Sequence, residues 1–282
     1  MRETIVVHRG HGLPYSKGLM AQALSATGLL PQRAFELARQ VERRLNESGA
    51  DTVDVGALRA LAEEVLLAEE GEGAVRRYRD WHRLDRLDRP LIVMLGGAAG
   101  VGKSTLATML AHRLGITRVI ATDVIRQVLR AFFTNEAMPT VHHSAFEVDL
   151  EGFREQAEHV GTGVSAIVQR ACAEGTPVVV EGVHAVPGAL ADELRGGCVA
   201  VEALLVVQDE GLHRGHFSLR GAYRPAERYH ARFHQIRMLQ DHLSAGAREA
   251  GMPVIDNVNV EDTLGLLMSL VLDAVGNVEE RR

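Results

Sequence analysis

The spacing of apolar residues changes near Pro90. Before it, apolar positions recur at helical spacing. After Pro31, which suits a first helical turn, Phe35, Leu37, Ala38, Val41 and Leu45 share a face, and Gly49 follows where a C-terminal cap belongs. Ser16 can cap an earlier helix reaching Thr27, and Asp54 can cap a third through Leu58, Leu61, Val65 and Leu66. A fourth, from residue 73 to about 88, carries Val75, Tyr78, Trp81 and Leu84 opposite a row of arginines. Residues 5–7 form a brief β-prone run that a glycine-bearing turn at 10–12 ends.

Beyond Pro90 the apolar residues come in short blocks, at 91–95, 118–121, 177–180, 199–207 and 252–255. Helical stretches begin at Ser104, Val124, Phe153, Pro225 and Asp262. Strand-length blocks alternating with helices predict a parallel sheet covered by helices on both faces. The charge-rich run 83–89 marks the expected boundary between a mainly helical domain, 1–89, and an α/β domain, 90–282.

Composition narrows the class without altering this outline. In 282 residues, 46% hydrophobic and 24% charged, there is enough apolar material for a core in each domain. A net charge of -6 argues against a broad nucleic-acid or membrane footprint, but a local basic pocket for a small anion remains compatible with it. Cys172 and Cys198 make neither a C-x-x-C site nor a disulfide framework. No window approaches the roughly 20 apolar residues that span a bilayer, so a cytoplasmic location is expected. Oligomeric state is not legible.

The sharpest signal is Gly97-Ala98-Ala99-Gly100-Val101-Gly102-Lys103-Ser104, a G-x-x-x-x-G-K-[ST] pattern between an apolar strand and a helix. Glycines let successive backbone N–H groups face a phosphate, and the helix start adds partial positive charge. Lys103, one of only two lysines with Lys17, supplies a full charge. The Ser104 hydroxyl suits Mg²⁺ and Thr105 an α-phosphate oxygen, so ATP with Mg²⁺ is the expected ligand.

Other candidates sit where strands end. Asp123 follows the second strand of the α/β domain, at the carboxyl edge where open sheets hold ligands. It can accept a hydroxyl proton, or merely cap the next helix, on which Arg126 and Arg130 could hold an anionic acceptor. Glu181 ends the 177–180 block and resembles a Walker B acid orienting Mg²⁺; the plainer reading is an acid in a loop. The segment 213–232, with His216, Arg220, Arg224 and Arg228, reads as a lid or as a solvated basic helix. His142-His143 and His213-x-x-His216 lack an indicated third metal ligand.

Several of these residues belong to a wider likeness. Pro14-Tyr15-Ser16-Lys17-Gly18, the glycine-rich loop with its Val101, the run 115–126 through Asp123 and Arg126, Pro139-Thr140-Val141-His142, the run 181–188 opening Glu181-Gly182-Val183-His184, and the run 253–258 resemble the 2-phosphoglycerate kinase family. The similarity covers nearly the whole chain. It implies a P-loop kinase fold with an ATP-cone-like helical domain at 1–89, and phosphorylation of the 3-hydroxyl of 2-phosphoglycerate by ATP to give 2,3-bisphosphoglycerate. On this basis Lys103, Asp123 and Arg126 are expected to be catalytic. Arg130, His142, Glu181 and His184 are expected around the acceptor, and Ser104 and Glu181 at the metal. The residues alone reach only a small-molecule kinase, and leave a different small anionic alcohol or sugar acid, or a non-catalytic ATP-responsive regulator, as alternatives.

Overall fold

The computed structural model describes residues 4–8, 11–84, 87–190, 192–219 and 226–280. The chain divides into two compact units, Met1–Arg86 with Gly265–Arg282, and Leu87–Leu264. The α/β unit is therefore shorter at its C-terminal end than the 90–282 expected, because all but the first turn of the last helix groups with the helical unit.

In the first unit, β1 (Ile5–His8) pairs antiparallel with β2 (His11–Pro14) and parallel with β3 (Thr52–Asp54). Around this small sheet lie α1 (Lys17–Ser25), α2 (Pro31–Glu47), α3 (Val55–Glu70) and α4 (Glu72–Arg83). Ser16 caps α1 by accepting from the Leu19 amide, and Asp54 caps α3 by accepting from Gly56 and Ala57, as their residue types favour. The fourth helix stops at Arg83, several residues before the predicted end. Leu24, Leu37, Val41, Leu66 and Tyr78 form the centre of one buried cluster.

The second unit begins with β4 (Leu91–Gly96) and α5 (Lys103–Leu114). It continues with β5 (Val119–Ala121), α6 (Thr122–Phe132), a 3-10 turn (Pro139–His142) and α7 (Leu150–Glu174). Then come β6 (Val178–Glu181), α8 (Asp192–Arg195), β7 (Val199–Val206), α9 (Glu210–Leu219), α10 (Ala226–Ala231), α11 (Phe233–Glu249) and β8 (Val254–Asp256). The last helix, α12 (Val260–Glu280), runs from this unit into the other. Among the described residues the sheet has five parallel strands in the order β5-β6-β4-β7-β8, so the first strand lies at its centre. Ile92, Met94, Val178 and Val180 pack with Val160, Val164 and Val168 of α7, while Leu204 and Val206 pack with Leu239 and Leu243 of α11. Alternation turns Val93, Leu95 and Val179 to the opposite face, where α5 contacts β4, β5 and β6. Helix α7 starts three residues before the predicted Phe153, because Asp149 caps it through the Gly152 amide.

A buried polar network joins α6, α7 and the segment after β6. Thr122 Oγ1 lies 3.0 Å from His184 Nδ1, and His184 Nε2 lies 2.8 Å from Gln156 Oε1. The Gln156 amide donates in turn to the carbonyls of Thr140 and His143. An amide oxygen only accepts, so the proton of His184 sits on Nε2 and the Thr122 hydroxyl donates to Nδ1. Burial, reinforced by the nearby Arg126 cation, lowers the imidazole pKa from 6.5 to about 4. The unfolded chain then takes up a proton that the folded chain refuses, so stability falls as pH drops from about 6.5 towards about 4, by up to about 3 kcal/mol. Gln at this position can hydrogen-bond but cannot titrate. Thermal unfolding of His184→Gln, followed between those pH values, should show a shallower loss of Tm than the wild type; equal slopes would remove His184 from the acid response.

Candidate active site

Strand register assembles the site. Leu95 and Ala121 both stand opposite Glu181, so the carboxyl ends of β4, β6 and β5 lie side by side. From them emerge the loop 97–102, the Glu181 carboxylate, and Asp123 at the start of α6.

The loop needs glycine at specific places. Gly102 is left-handed, with φ 91°, at the N-terminus of α5, and Gly100, with φ 85°, faces the Phe217 ring where a Cβ would collide. Four successive loop carbonyls each accept a side-chain hydrogen bond. Lys103 Nζ donates to Ala98 at 2.6 Å, His213 Nε2 to Ala99 at 2.7 Å, His216 Nδ1 to Gly100 at 2.9 Å and Asn257 Nδ2 to Val101 at 2.9 Å. In a trans peptide the N–H points opposite to the C=O, so the amides of residues 100–102 are turned away from His213, His216 and Asn257, as a phosphate cradle requires.

Ser104 and Thr105 are exposed at the mouth of this cradle. Ser104 Oγ donates to Glu181 Oε1 at 2.9 Å, although the two are far apart in sequence. Glu181 itself is buried. A hydroxyl and a carboxylate in direct contact, both hard oxygen donors, suit Mg²⁺.

Asp123 is 64% exposed, whereas the Arg126 side chain is 6% exposed. Arg126 donates from Nε to Asp123 Oδ1 at 2.8 Å, and its Nη2 lies 2.8 Å from the same oxygen as an ion pair, so both contacts fall on Oδ1. Its Nη1 donates to the carbonyls of Val141 at 2.8 Å and His143 at 3.0 Å. The sequence reading gave this guanidinium to an acceptor anion. The fold instead directs it to Asp123 and to the segment at the end of the 3-10 turn, because three hydrogen bonds to protein atoms and the ion pair with Asp123 occupy all three of its nitrogens.

The remaining candidates are distributed unevenly. Arg130 is exposed one turn beyond Arg126, and His142 Nε2 donates to the Phe133 carbonyl at 3.0 Å. His184, expected around the acceptor, is fully buried with both ring nitrogens engaged, so its place is behind the site. His216, expected in a lid, binds the phosphate loop. Arg228 reaches Glu147 and Ser144 at 2.8 and 2.9 Å. Arg220 and Arg224 lie outside the described residues. Sequence reasoning missed His213 and Asn257 as loop partners and Gln156 as the link behind Arg126. The H-x-x-H pattern was visible, yet nothing in it named a carbonyl as its target.

No family model matches the chain. Curated proteins do. The 2-phosphoglycerate kinase of Methanopyrus kandleri is 34% identical over 96% of this chain and 87% of its own. That of Methanothermobacter thermautotrophicus is 35% identical over 95% and 93%, and that of Pyrococcus horikoshii 34% over 95% and 93%. Among solved structures, a gluconokinase from Sinorhizobium meliloti has 16% identity and a TM-score of 0.40, covering 68% of this chain and 95% of its own. A shikimate kinase from Acinetobacter baumannii has 17% identity and a TM-score of 0.38, covering 72% and 98%. With a phosphate loop, a five-stranded parallel sheet and identities above 30% along almost its full length, the chain belongs to the 2-phosphoglycerate kinase family, and is a P-loop phosphotransferase acting on an alcohol group.

Proposed function

We propose that this kinase transfers the γ-phosphoryl group of ATP to the 3-hydroxyl of 2-phosphoglycerate, giving 2,3-bisphosphoglycerate and ADP. The observation that carries the reading is the convergence of the phosphate cradle, the Ser104–Glu181 oxygen pair and the exposed Asp123 carboxylate on three adjacent strand ends. Family membership supports the choice of acceptor.

ATP phosphates lie against the amides of residues 97–105, and Lys103 exchanges the Ala98 carbonyl for the β- and γ-phosphates. Thr105 bonds an α-phosphate oxygen. Ser104 and Glu181 would hold Mg²⁺, which when bound supplies positive charge to the phosphate oxygens. Asp123 receives the hydroxyl proton while the acceptor oxygen bonds to phosphorus and the bond to the ADP oxygen breaks. Arg126 acts through Asp123: by holding Oδ1 it aims Oδ2 at the hydroxyl. Arg130 and His142 are assigned to the acceptor's phosphate and carboxylate. Arg228 joins α10 to Ser144 and Glu147, and this contact supports a lid over the acceptor side. The N-terminal unit is assigned an ATP-cone-like role.

Incubation with ATP, Mg²⁺ and separately 2-phosphoglycerate, 3-phosphoglycerate or glycerate, with products identified by mass and ³¹P spectrum, tests the reaction. The 2-phosphoglycerate sample should yield 2,3-bisphosphoglycerate; turnover only in another sample would reassign the acceptor. Mutant kinetics separate the two roles at α6. Asp123→Asn should lower kcat by about a hundredfold or more and leave KM for ATP unchanged. Arg126→Lys should lower kcat with little change in acceptor KM, whereas a large rise in acceptor KM at constant kcat would make Arg126 an acceptor ligand.

A further inference from the structure

We infer that His213 and His216 are positioning residues of the phosphate loop, which fix the orientation of its peptides from the side opposite the nucleotide. This rests on reading the loop as an ATP site.

The two histidines stand one turn apart on α9, so they face the same way. They donate to the adjacent carbonyls of Ala99 and Gly100. Holding those oxygens outward holds the amides of Gly100 and Val101 inward. A loop rich in glycine does not enforce this by itself, because its backbone is unusually free to turn. A peptide that flipped would present an oxygen to the phosphates in place of a donor.

The His213 contact is itself set from the sheet. Arg237, on α11, donates from Nη1 to the Val207 carbonyl at 2.5 Å and from Nη2 to Gln208 at 3.0 Å, just beyond β7. Its Nη1 also lies 3.5 Å from His213 Nδ1. A guanidinium only donates, so Nδ1 is the accepting nitrogen and the ring carries its proton on Nε2, facing Ala99. His213 is fully buried, stacked on Phe217 at 5.5 Å and edge-on to Phe233 at 5.4 Å. Phe217 also fills the space beside Gly100. The end of β7, neighbour of β4 in the sheet, thus sets the loop through Arg237 and one imidazole tautomer.

The test compares ATP binding with packing. His213→Phe keeps an aromatic ring between Phe217 and Phe233 and removes both polar bonds, while His213→Gln keeps a side chain that can donate and accept. Calorimetric titration with Mg²⁺-ATP should give a Kd about tenfold or more weaker for His213→Phe, as expected when a charge-orienting hydrogen bond is lost, and a value within about threefold of wild type for His213→Gln. His216→Ala should weaken ATP severalfold. In steady-state assays KM for ATP should rise and acceptor KM stay constant. ATP affinity at the wild-type level in His213→Phe and His216→Ala would overturn the inference, as would a parallel rise in both KM values with a lowered Tm, the pattern of general destabilisation. Should His213→Phe not fold, His216→Ala decides by the same criterion. Failure of the wild type to bind ATP would instead sink the reading of the loop on which the inference stands.

Discussion

The site depends on a constraint of the trans peptide, in which an amide that faces a phosphate requires its neighbouring carbonyl to face away. Three consecutive carbonyls, Ala99 to Val101, meet that requirement through His213, His216 and Asn257. These donors come from α9 and the segment after β8, so distant parts of the α/β unit meet at the back of one loop. Buried carbonyls without partners are costly, and the arrangement removes that cost while leaving the amides on the other side for an anion. A protein of net charge -6 can in this way bind a highly charged nucleotide with backbone dipoles and few cations.

The surroundings of Asp123 follow a similar logic of indirect support. Arg126 is buried and holds the exposed Asp123 by one oxygen, and the carbonyls that complete its shell come from Val141 and His143. Gln156 donates to that same His143 carbonyl and accepts from His184, which in turn accepts from Thr122 beside Asp123. The loop of contacts closes on α6. A neutral His184 is part of it, because protonating Nδ1 would set a donor against the Thr122 hydroxyl's own proton and add a cation near Arg126.

How much of this was legible depends on how local each signal is. The glycine-rich loop, Ser16 and Asp54 act within a few residues, and the sequence pattern located all of them. Strand β3 has three residues, too few to display a period, and pairs with β1 across the length of α1 and α2. The start of α7 was placed late because Asp149 was not recognised as its cap. The destination of Arg126 was hidden because its carbonyl partners are backbone atoms 15 and 17 residues away, which no side-chain pattern announces. For the same reason the pair of histidines on α9 gave no sign of its partner: the target is the main chain of a loop more than a hundred residues earlier. The C-terminal helix carries apolar residues along both its halves, so nothing in its pattern marked where it passes from one unit to the other.

The central claim, that the loop at 97–105 holds ATP for transfer and not merely as a binding surface, turns on Lys103. Its ammonium occupies the Ala98 carbonyl and must move to the transferring phosphates to act. Single-turnover kinetics of Lys103→Ala, run beside its thermal unfolding, isolate that step. A folded variant with Tm near wild type and phosphoryl transfer slowed by at least about a hundredfold is the predicted result, the scale of losing one electrostatic stabiliser. A folded variant that transfers phosphate at close to the wild-type rate would contradict the account.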